Sequence, residues 1–84
     1  MPQVTGPTPE DAQAALSAET ERMCLIAFAC DCRLAVCVTA ASNVRGVYAF
    51  DFDFVVLSPG ERPPQGRGWT VYENHGGRAV GRTA

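Results

Sequence analysis

Apolar and polar residues alternate most regularly in VYAFDFDFVVL, residues 47–57. Tyr48, Phe50, Phe52, Phe54 and Val56 fall on one side of an extended chain, and Ala49, Asp51 and Asp53 on the other. That pattern predicts a strand with one buried and one wet face. Upstream, TPEDAQAALSAETERM carries the marks of a helix start. Thr8 can cap, Pro9 suits the first turn, and Glu10 and Asp11 sit where the helix dipole favours anions. Ala12, Ala15, Leu16 and Glu19 follow at helical spacing, so a narrow face of small residues can pack on a sheet. Downstream, GWTVYENHGGRAVGR reads as a closing hairpin. A four-residue turn at 74–77 would pair Glu73 with Arg78, Val71 with Val80, and Trp69 with Arg82, the last as a cation–π contact.

Residues 24–41 are ambiguous in pattern. CLIAFAC is a continuous apolar run and LAVCVT is rich in β-branched residues, which favours two buried strands turning near Asp31. The competing pattern is one long helix. No Gly or Pro interrupts Glu10 to Val44, and Met23, Ile26, Ala27, Cys30, Leu34, Cys37, Val38 and Ala41 recur at helical spacing. SPGERPPQGRG, residues 58–68, is a proline- and glycine-rich loop suited to forming a contact surface. Residues 1–7, MPQVTGP, are expected to be a flexible N-terminus. The elements together predict an α+β fold: a single small globular domain over residues 8–84, with an N-terminal helix packed on a mostly antiparallel sheet of four or five strands.

Composition narrows the function classes. A chain of 84 residues makes one domain with a thin margin of stability, and leaves little room for a walled substrate cleft. This weighs against an enzyme. With 46% apolar and 19% charged residues the chain is globular. Lysine is absent, and all seven cations are arginine. The formal net charge is −2, but up to Asp53 acids outnumber arginines seven to three, whereas Arg62, Arg67, Arg78 and Arg82 later face only Glu61 and Glu73. A weakly acidic chain argues against general nucleic-acid binding, although the basic C-terminal third keeps a local anionic contact open. The polar first 22 residues lack a signal-peptide pattern. Cys24 to Ala41 is apolar, but Asp31 and Arg33 at its centre would each cost about 2.5–3.5 kcal/mol inside a bilayer. A soluble, cytoplasmic protein without a membrane span is expected.

The four cysteines all lie within CLIAFACDCRLAVC. Their spacing, C-x5-C-x-C-x4-C, lacks the short chelating pairs of structural zinc, and His75 is distant. On a strand, Cys30 and Cys32 would lie roughly 6.5–7 Å apart. That is too far for one zinc with bonds near ~2.3 Å unless a turn folds them together. A strand hairpin could set Cys24 opposite Cys37, but a reducing cytosol works against a disulfide, and core filling is the favoured reading for both. Cys30 and Cys32 flank Asp31 beside Arg33 and form the candidate metal or redox pair. Asp51 and Asp53 could hold a hard cation bridged by a substrate phosphate, though a water-facing strand explains them equally well.

With no convincing catalytic set and no cofactor expected, the first reading is a small non-enzymatic regulator or inhibitor that occupies the surface of a larger protein or complex. A phage-type accessory or anti-defence protein would fit that description. Its candidate partner-binding residues are Asp51, Asp53, Arg62, Arg67, Arg78 and Arg82. The alternative is a thiol- or zinc-dependent module centred on Cys30 and Cys32. A homodimer that buries its apolar segment against its own copy is also left open.

Overall fold

The chain enters its helix through Thr8, which has extended backbone (φ −132°, ψ 161°) and whose Oγ1 accepts from the Asp11 N–H at 3.1 Å. In the computed structural model, which describes residues 2–84, helix α1 spans Pro9–Ala29. Its buried stripe, Ala12, Leu16, Thr20, Met23, Cys24 and Ala27, steps by threes and fours. Cys24 to Ala29 is therefore helix, whereas LAVCVT lies in strand β2 (Arg33–Val44). Neither the two-strand hairpin nor the single long helix expected for 24–41 forms.

The break between them lies at Asp31. The Asp31 N–H donates to the Phe28 carbonyl at 3.0 Å, and the Cys32 N–H reaches back to the Ala27 carbonyl at 2.9 Å. This pair of bonds closes a helix C-terminus around one left-handed residue, here Asp31 at φ 57°. Aspartate tolerates that conformation better than most residues, so the helix stops where no glycine announces it.

Strand β1 (Gln3–Gly6) precedes the helix, and β3 (Val47–Leu57), β4 (Thr70–His75) and β5 (Arg78–Thr83) follow β2. They form one sheet in the order β1-β3-β2-β4-β5, antiparallel at every junction. The chain thus has the expected α+β fold, one N-terminal helix on a five-stranded antiparallel sheet. β1 and β2 flank β3 and are joined through α1, a split βαβ arrangement. Residues 3–6 are not a frayed tail. They pair with Tyr48 to Asp51, and the Gln3 side-chain amide donates to Asp51 Oδ1 at 2.7 Å. Gly6 permits the tight passage into the helix, since a Cβ there would lie 2.6 Å from the Ala12 backbone nitrogen.

The first half of β2 is buried on both faces. Leu34 and Val36 pack with Leu16, Met23, Cys24, Ala27 and Phe52 on the helix side. Ala35 and Cys37 pack with Leu57, Trp69 and Val71 on the other. After a bulge between Val38 and Ala40, β2 pairs with β3 alone and the hairpin runs on to a turn at Arg45–Gly46. β3 forms as expected, but not with one buried and one wet face: Ala49 and Leu57 are buried on the side expected to be wet, and only Phe52 is fully covered on the helix side. Phe54 and Val56 remain 44% and 48% exposed, because the last helical turns pack on Leu34 and Val36 of the next strand.

The closing hairpin forms with a register two residues from the one expected. Gly76 and Gly77, at φ 63° and 89°, make a two-residue turn of the kind that follows sheet twist, so His75 pairs with Arg78 and Glu73 with Val80. A two-residue slip leaves every side chain on its expected face. No helix among the described residues is long and apolar enough to cross a membrane.

The Asp31→Gly variant should be more stable by about 0.5–1 kcal/mol, and Asp31→Val less stable by a similar or larger amount, because only glycine enters the left-handed region without steric cost. Urea midpoints of the three proteins at equal m-value check this.

Candidate functional site

Parity along the strands places four of the six predicted partner-binding residues on one face of the sheet. Asp51 and Asp53 occupy the face of β3 opposite the helix. Arg78 and Arg82 pair with His75 and Val71 and so lie on that same face of the sheet. The loop 58–68 crosses this face and is anchored by Trp69. The indole is 3% exposed against Ala35, Cys37, Leu57 and Val71, and its Nε1–H donates to the Pro64 carbonyl at 2.8 Å. A turn at Ser58 and Glu61 orders the start of the loop: the Ser58 N–H donates to Glu61 Oε1 at 2.9 Å, and the Arg33 guanidinium donates to the Glu61 carbonyl. The segment is an ordered cover over a second small core.

Arg67 ties the cover to the acidic strand. It pairs with Asp53, which raises the guanidinium pKa further, and it lies 5.9 Å over the Trp69 ring. The cation–π contact expected from Arg82 is thus made by Arg67, since the hairpin register sets Arg82 opposite Val71. Arg82 pairs instead with Glu73 at 3.4 Å, and His75 approaches the same carboxylate at 3.5 Å. These pairs are half-exposed and screened by solvent, so each adds little to stability. Arg62 and Arg78 are exposed. The six residues do not converge on one point. β2 and β4 separate β3 from β5, so at a strand spacing of roughly 4.8 Å the acidic and basic flanks stand about 14 Å apart. Asp51 and Asp53 each already hold a partner, Gln3 and Arg67.

The cysteine cluster is dispersed by the fold. Cys24 and Cys37 are both buried, in different cores on opposite faces of the sheet, so a bridge between them would require unfolding. Burial, and then the Glu21 carboxylate, push the Cys24 thiol pKa up. Cys30 is exposed and Cys32 half-buried at the C-terminal end of α1. The Cys32 thiol turns to the Cys30 carbonyl at 3.4 Å. Among the described residues, no three His, Cys, Asp or Glu side chains are grouped as a metal ion would need.

The opposite face carries a feature that the sequence reading missed. Between α1 and the β4–β5 side of the sheet runs an open groove of about 560 Å³, lined by Gln13, Ser17 and Glu21 on the helix and by Val38, Thr70 and Tyr72 below. It exists because one helix about 10 Å across spans roughly two of five strands. Tyr72 lies across Gly81, where a Cβ would stand 2.9 Å from its ring, and burial followed by Cys24 raises its phenol pKa. The i, i+4, i+8 spacing of Gln13, Ser17 and Glu21 was a visible polar ridge, but only the topology reveals which strands lie bare beside it. Comparison with protein-family models, curated proteins and solved structures finds no match to the chain.

Removing the anchor and removing the tie should differ sharply. Trp69→Ala is expected to cost about 3–5 kcal/mol, a large share of a small domain's stability. Arg67→Ala should move the midpoint only slightly in the same denaturant titration. Thiol labelling of the native protein should modify Cys30 first and Cys32 more slowly, with Cys24 and Cys37 reacting only after denaturation, as counted by intact mass.

Proposed function

We propose that this chain is a small non-enzymatic regulator or inhibitor that binds a larger protein through its loop-covered face. The observation that carries this reading is the seating of loop 58–68 by Trp69 and Arg67. A loop already ordered before contact loses little further conformational freedom on binding, which favours recognition by a small surface. The acidic flank at Asp51 and Asp53 and the basic flank at Arg78 and Arg82 would orient the complex by charge, and the exposed Arg62 adds a cation on the loop. Four free cysteines fit a reducing, cytoplasmic setting. A phage-type accessory or anti-defence role is consistent with a compact binder of this kind.

Affinity capture from an extract of the source cells tests the reading with three baits: the wild-type chain, the Arg62→Glu/Arg78→Glu variant, and an Arg22→Glu control on the helix. A defined partner should be held by wild type and control and bound about tenfold more weakly by the double variant, equivalent to about 1.4 kcal/mol. Equal retention by all three would place the contact elsewhere. A chain that retains no protein in any version would remove the protein-binding reading itself.

A further inference from the structure

β1 pairs with β3 only as far as Asp51, and one further bond follows, from the Phe52 N–H to the Pro2 carbonyl at 3.1 Å. Beyond Phe52, β3 is paired only through β2 among the described residues. The Phe52 bond fixes the direction of the groups that follow. The bulge of this ladder lies in β2, so alternation along β3 is unbroken. Phe52 aims its N–H at the β1 side, and therefore the N–H and C=O of Phe54 and Val56 also face the open edge, while those of Asp53, Val55 and Leu57 face β2.

The side chains beside this edge are apolar. Phe54 and Val56 are 44% and 48% exposed on the helix side of the sheet. Gln13, Ser17, Glu21 and Cys24 turn the other flank of α1 to the β4 groove. At about 100° per residue, Ile26 lies roughly opposite Cys24 on the helix, on the flank toward β3's open edge, and is 57% exposed. From Phe54 to Leu57 no charge or proline interrupts the strand, the devices that normally keep an edge from pairing.

The geometry points to a second copy of this chain as the occupant, with the two β3 edges paired antiparallel about a two-fold axis through Val55. In this register Phe54 of each copy faces Val56 of the other as hydrogen-bonded pairs. The free N–H and C=O groups at those positions then satisfy one another in four bonds. The two Val55 residues meet on the axis as a non-hydrogen-bonded pair, where Cα atoms approach to about 4.5 Å. Asp53 falls opposite Leu57, so no like charges are opposed, and both Ile26 side chains flank the seam on the same side. This is the isologous contact that a closed dimer requires. The outer strand β5 is unsuited to it: antiparallel self-pairing about Val80 would set Arg78 against Arg82. Pairing at β3 leaves the loop-covered face open, so the dimer stands independently of the partner-binding reading and would present that face twice.

Sedimentation velocity from about 1 to about 200 µM tests the dimer in wild type, Val56→Pro and Val56→Lys. Proline at 56 deletes only an N–H aimed at the open edge and spares the ladder with β2; lysine there puts a charge in the seam. Wild type should shift from monomer to dimer mass with concentration, and both variants should dimerise at least about tenfold more weakly with unchanged circular dichroism. If Val56→Pro does not fold, Val56→Lys decides. In a Cys30→Ser/Cys32→Ser background, Val55→Cys should oxidise to a covalent dimer and Phe54→Cys should not, because only position 55 meets itself on the axis. A wild type monomeric throughout would overturn the proposal. So would variants that dimerise as tightly as wild type, or equal cross-linking at 54 and 55.

Discussion

Everything in this molecule is organised around the double-sided burial of Leu34, Ala35, Val36 and Cys37. These four consecutive residues lie in the central strand of the sheet, two pressed by the helix and two by the tryptophan-anchored loop. Completely burying a leucine or valine side chain contributes about 1.5–3 kcal/mol, which is large against the few kcal/mol by which a domain this size is stable. The helix must therefore end where Arg33 can start the strand on time, and the chain after β3 must return across the back of the sheet. Asp31 serves the first need and loop 58–68 the second.

This arrangement divides the surface by role. The helix side spends its apolar area on the main core and leaves a groove where the helix does not reach. The loop side is polar at its flanks, acid on β3 and arginine on β5, around a cover tied down by Trp69, Arg67 and Arg33. The outer strand β5 and the end of β3 differ in kind as well. β5 carries arginines and a glycine, whereas β3 from Phe54 to Leu57 is apolar and, among the described residues, pairs only with β2. Edges decide whether a sheet continues.

The legible parts of the sequence were those whose residue types carry a local pattern. VYAFDFDFVVL showed its strand because Asp51 and Asp53 interrupt the aromatic series, although its burial falls on both faces, and Thr8-Pro9-Glu10-Asp11 showed the helix start. LAVC could not show alternation because both its faces are covered. The helix end was hidden because an aspartate adopts a conformation that glycine usually marks. β1 was hidden because four residues between prolines carry too little pattern to distinguish an edge strand from a tail. The candidate face was recoverable despite the wrong hairpin register, since parity survives a slip of two. The groove was not, because it depends on where a helix lies across strands distant in sequence.

Trp69 is the only tryptophan of the chain, and it belongs wholly to the layer behind the sheet. Its emission therefore follows the seating of the loop and is blind to the helix, whereas far-ultraviolet circular dichroism is weighted toward the helix in front. A chain of this size thus carries two native spectroscopic reporters on opposite sides of one strand. Whether their unfolding curves coincide measures how strongly that strand welds the two layers into a single cooperative unit.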